Sequence, residues 1–111
     1  MANKKTPLHP PLVQDAEDGK LSYAQLSGGP ATVLVPAIYS IEVGSIIDLH
    51  FGTYHTLHAV SAGEIGLPLM FLIPNDAVKN DIGKTVAVGY SVTLPSGNEA
   101  VSPKVDIKVV T

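Results

Sequence analysis

The chain has 111 residues, 45% of them hydrophobic and 15% charged, with 7 Lys+Arg against 10 Asp+Glu for a formal net charge of −3. This is the size and composition of one globular domain able to bury its own core. All seven cations are lysine and there is no cysteine, which argues against nucleic-acid recognition and excludes disulfides, thiolate nucleophiles, iron–sulfur clusters and cysteine zinc sites.

The opening "MANKKTPLHPPLVQDAEDG" holds two early lysines with no apolar run behind them, so it does not read as a signal peptide. No stretch approaches the ~20 apolar residues of a membrane span, and no membrane insertion is expected. With three prolines before Lys20, residues 1–19 are expected to be an extended leader carrying a first edge segment. The domain proper is expected over residues 20–111.

Period-two alternation dominates from about residue 20. "KLSYAQL" reads as a weak strand. "ATVLVPA", "GSIIDLHFG", "YHTLHAVSA" and "PLMFLIP" are strands of ordinary length bounded by Gly, Pro or Ser. In "PNDAVKNDIG", Pro74 and Asn75 can start a turn of helix, Ala77, Val78 and Ile82 can bury one side, and Gly83 can stop it. This short crossover is expected to be the only helical turn.

"KTVAVGYSVTL" then alternates Val86, Val88, Tyr90 and Val92 against small residues, and "PSGNEA" supplies the turn into a last strand. In "AVSPKVDIKVV", Val101, Pro103, Val105, Ile107 and Val109 are expected on one face. Pro103, with no N–H to donate, belongs at an edge, a strand start or a bulge. Seven or so strands with one helical turn predict an all-β antiparallel sandwich, with Leu49, Phe51, Phe71, Val88 and Val105 between the sheets.

The order of these pieces resembles the immunoglobulin-like repeats found in tandem in large surface and secreted, adhesin-type proteins of Gram-negative bacteria. The likeness is carried by "LHPPLVQDAEDGKLSYAQL", then "ATVLVPAIYSIEVGSIIDLHFG", then "PLMFLIPNDAVKNDIGKTVAVGYSVTLPSGNEAVSPKVDIKVV", and covers nearly the whole chain. Phe51 stands where the family often has tryptophan. The resemblance implies an immunoglobulin-like sandwich, a non-catalytic module, a structural, adhesive or protein-interaction role, and a cell-surface or extracellular setting. It brings no catalytic residue and no cofactor.

The residues themselves nominate one stretch, "HFGTYHTLHAV", with His50, Tyr54, His55 and His58 as candidate ligand-binding residues. Alternation puts Asp48 and His50 opposite Ile47, Leu49 and Phe51, and separates Tyr54, Thr56 and His58 from His55, Leu57 and Ala59. His50 can then approach one later histidine but three cannot converge, so no zinc site is expected. "DAEDGK" (Asp15, Glu17, Asp18) is half of a calcium loop without a closing glutamate and reads as an acidic turn. There is no Gly-x-Ser-x-Gly, no phosphate-binding glycine loop and no nominated acid–base pair, so no enzyme is expected.

Tyr23, Tyr39 and Tyr54, in or beside loops, are the candidates for stacking on a sugar or filling a partner's pocket. Tyr90 reads as a core aromatic. The partner is expected to be a protein or a glycan. The alternative function is a small carbohydrate- or metal-binding sandwich that uses the histidine and tyrosine hairpin.

Overall fold

A computed structural model describes residues 8–38 and 41–111. Its strands, among the described residues, are β1 (Leu12–Val13), β2 (Ala16–Glu17), β3 (Lys20–Ser22), β4 (Ala31–Val35), β5 (Ile46–Phe51), β6 (Tyr54–Ala59), β7 (Leu69–Ile73), β8 (Thr85–Thr93), β9 (Glu99–Val101) and β10 (Val105–Val110), with one α-helix, α1 (Asn75–Lys79). They form two sheets. The smaller runs β1-β4-β7, and the larger runs β2-β3-β10-β8-β5-β6 with β9 also pairing β8.

Alternation puts the apolar residues where the two sheets need them. Ala31, Val33 and Val35 of β4, Phe71 and Ile73 of β7, and Ile47, Leu49 and Phe51 of β5 are all buried, as are Val86, Val88, Tyr90 and Val92 of β8. Of the five expected core residues, Leu49, Phe51, Phe71 and Val88 are buried, whereas Val105 is only partly so. It lies at the end of β10, beside a break in the strand.

That break corrects the expected single C-terminal strand. Ser91 pairs with Val101, but three residues back along β8 Val88 pairs with Val105, four residues on. One extra residue is therefore inserted between β9 and β10, and the alternation flips. Val101 and Pro103 face solvent, while Ser102 is buried and Ile107 and Val109 return to the core. Ser102 occupies the gap: its N–H donates to the Tyr90 carbonyl, and its hydroxyl accepts from the Tyr90 N–H at 3.0 Å.

The sheets also depart from a purely antiparallel plan. Among the described residues ten strands, most of them short, replace the expected seven or so, and β3 lies parallel to β10, Leu21 opposite Val109. A parallel pair needs a long connection, and here it is the body of the domain. "KLSYAQL" is strand only through Ser22, after which Ala24–Leu26 form a 3₁₀ turn; a second covers Ala62–Glu64. Helix α1 is thus not the only helical turn, although it starts after Pro74 and buries Val78 as expected. The segment before Lys20 contributes edge strands to both sheets, with Val13 in the core.

Candidate functional site

Gly52 and Thr53 turn β5 into β6 and set the register of the histidine hairpin. Gly52 has φ +60°, and a β-carbon there would meet Asp81 Oδ2 at 2.9 Å and Val86 Cγ1 at 3.0 Å. Both the positive φ and the crowding demand glycine. With this turn Phe51 pairs with Tyr54, His50 with His55, and Ile47 with His58.

Residues paired across a hairpin point to the same side of the sheet. His50 and His55 therefore stand together on the outer face, their rings stacked with centroids 5.2 Å apart and planes at 14°. Asp48, also on that face, holds both: Oδ2 lies 3.1 Å from His50 Nε2 and Oδ1 lies 3.2 Å from His55 Nδ1. On the adjoining strand β8, Ser91 lies opposite Asp48 and Gly89 opposite His50. The flank of the cluster is thus made of small residues, with the Lys104 stem over Gly89.

His58 faces the other way. Its Nε2 is 2.9 Å from both carboxylate oxygens of Glu64, and its ring meets Phe71 edge-on with centroids 5.9 Å apart. Glu64 is itself fixed, closing a capping box in which its side chain accepts from the Ser61 N–H at 2.9 Å. The Ser61 backbone N–H, and after it His58, hold the Glu64 carboxyl below its ordinary value. A groove of about 210 Å³ opens here between β6 and β7, lined among others by His58, Glu64, Leu57, Met70 and Leu72.

The four candidate ligand residues are therefore divided. His50 and His55 share the outer face; Tyr54 and His58 share the inner one, where Tyr54 packs against the core. Glu64 is not among the candidates read from the sequence. Asp48 could be placed on the face of His50, but only the register shows that His55 shares that face.

The remaining candidates are structurally occupied. Tyr23 packs against the core and donates its hydroxyl to Asn75 Oδ1 at 2.6 Å. Tyr90 is buried, as expected; desolvation pushes its phenol up to about 12, and it donates to the His9 carbonyl at 2.6 Å. Tyr39 lies outside the described residues. In "DAEDGK", Asp15 accepts the Thr32 N–H at 2.7 Å, while Asp18 and Gly19 turn β2 into β3 with positive φ. No helix of the described residues is long and apolar enough to cross a membrane. No family model, curated protein or solved structure matches the chain.

Proposed function

We propose that the chain is a non-catalytic immunoglobulin-like module with an adhesive or structural, protein-interacting role at the bacterial surface or in a secreted assembly. Its strand order carries the fold part of this reading. Taking β1, β4 and β7 as A, B and E, and β10, β8, β5 and β6 as G, F, C and C′, gives an A-B-E sheet facing a G-F-C-C′ sheet. The order supports the reading, since F lies between G and C in immunoglobulin sandwiches, with β3 and β2 added here beyond G. The bacterial setting rests on the sequence resemblance alone.

A protein partner is favoured over a glycan by the surface. Register aligns Leu12, Leu34 and Met70 in a row across the outer face of the smaller sheet. Leu12 is 57% exposed, Met70 65% and, two residues along β7, Leu72 53%. An apolar row of this kind suits another protein surface. Tyr23 and Tyr54, the described tyrosines that were candidates for sugar stacking, are both packed against the core.

The test displays the domain on a non-adherent bacterium and measures attachment to protein-coated and glycan-coated surfaces, for the wild type and for Leu12→Ser/Met70→Ser/Leu72→Ser. The expected result is attachment to protein that falls to background in the variant while its circular dichroism is unchanged. Attachment to glycan alone, insensitive to these substitutions, would favour the carbohydrate-binding alternative.

A further inference from the structure

We propose that Asp48, His50 and His55 form an exchangeable surface site for a late divalent transition metal such as Zn²⁺. The site differs from the three-histidine set that the sequence brings to mind, because His58 lies on the opposite face. It uses one carboxylate and two imidazoles, each contributed by a strand rather than a loop. The hairpin register positions them without any further folding step.

The geometry fits the donors. Ligands bound at about 2.0–2.1 Å in a tetrahedron stand about 3.3 Å from one another. Asp48 reaches the two rings through different oxygens, Oδ2 to His50 at 3.1 Å and Oδ1 to His55 at 3.2 Å, and with one atom taken from each residue all three ligand atoms lie within 4.8 Å of one another. Drawing the set in from within 4.8 Å to that spacing takes torsions of the two rings, which are 51% and 56% exposed and give up their contacts with Asp48 to the cation. The cation takes the lone pairs of His50 Nε2 and His55 Nδ1, and a neutral ring whose proton sits on that nitrogen shifts it to the other one, with no net proton released. Each neutral imidazole keeps its proton on the far nitrogen, His50 on Nδ1 and His55 on Nε2.

The chemistry of the set selects the ion. Two imidazole nitrogens and one carboxylate oxygen suit zinc, copper or nickel, whereas calcium and magnesium seek oxygen ligands in greater number. Three protein ligands leave at least one coordination position open to solvent or to a donor from outside the chain. Ser91 and Gly89 are the small residues that flank the set on β8, with the Lys104 stem lying over Gly89. Because the site lies on the outer face and the core closes without it, binding should not be coupled to folding.

The experiment is calorimetric titration of the full chain with Zn²⁺ near neutral pH, repeated for His50→Ala, His55→Ala, Asp48→Asn and His58→Ala. The expected result is one ion per chain, at least tenfold weaker binding in each of the first three variants, and unchanged binding in His58→Ala. Co²⁺ added to the wild type should give a visible absorption band that Zn²⁺ displaces and an equal concentration of Mg²⁺ does not. Metal-free thermal melts of all five proteins should each show a cooperative transition, as folded chains do, and should not change on adding EDTA. Absence of stoichiometric Zn²⁺ binding, binding insensitive to His55→Ala or to Asp48→Asn, or binding lost in His58→Ala would each overturn the proposal.

Discussion

Phe51 and His50 are neighbours with opposite fates, one ring fully buried between the sheets and the other half in water. Alternation alone makes that assignment, and it was legible in "DLHFG" before any pairing was known. What alternation does not give is which face of the next strand coincides with it. The relation of Asp48 to His55 depends on the two-residue turn at Gly52–Thr53 and was for that reason hidden. The face of Phe51 can be tested directly. Phe51→Ala removes a ring that is 0% exposed, and chemical melts should show a loss of about 3–5 kcal/mol. Unchanged stability would place the ring outside the core.

Elements show the same division between pattern and pairing. The strand at "PLMFLIP" and the helical turn after Pro74 were readable because each has its own periodicity and punctuation. The flip between β9 and β10 was not readable, since Val101 and Val105 keep the same parity in the sequence while an extra residue reverses their faces. Pro103 was the only local sign of it. The 3₁₀ turn at Ala62–Glu64 was equally hidden, yet it fixes the partner of His58, and its role can be tested by pH. The folded Glu64 carboxyl is held below its ordinary value of 4.5, so its contribution to stability is complete above that value. It is lost as pH falls through the lower, folded value. The stability gap between wild type and Glu64→Gln should therefore be fully present above 4.5 and close as the pH falls below it, through the lower, folded value. Thermal melts across that range measure it; a gap independent of pH would show that the hydrogen bonds to Ser61 and His58 do not favour the charged form.

Across the whole molecule, the two-sheet architecture was legible from strand spacing, whereas the linkage of the chain's beginning to its end was not. Short segments such as Leu12–Val13 and Ala16–Glu17 carry too few residues to show a period, and a parallel pair between Lys20–Ser22 and Val105–Val110 leaves no local signature. These contacts nonetheless tie the early residues into both sheets. Val13 is 4% exposed and pairs with Val33, the Gln14 N–H donates to the Thr32 carbonyl, and Asp15 accepts the Thr32 N–H in return. The His9 carbonyl receives the Tyr90 hydroxyl, and the Gly19 carbonyl receives the Lys108 N–H. A chain shortened to residues 20–111 should therefore be measurably weaker than the full one. Losing the burial of Val13 costs about 1.5–3 kcal/mol. Leaving the Tyr90 hydroxyl without its acceptor adds about 1 kcal/mol. Together these predict a drop of about 3 kcal/mol in urea melts, with a lower denaturant midpoint and a similar slope if the remaining sandwich still unfolds as one unit. Equal midpoints for the two chains would show that residues 8–19 contribute nothing to stability; a broad, non-cooperative melt would show that the smaller sheet cannot form without β1.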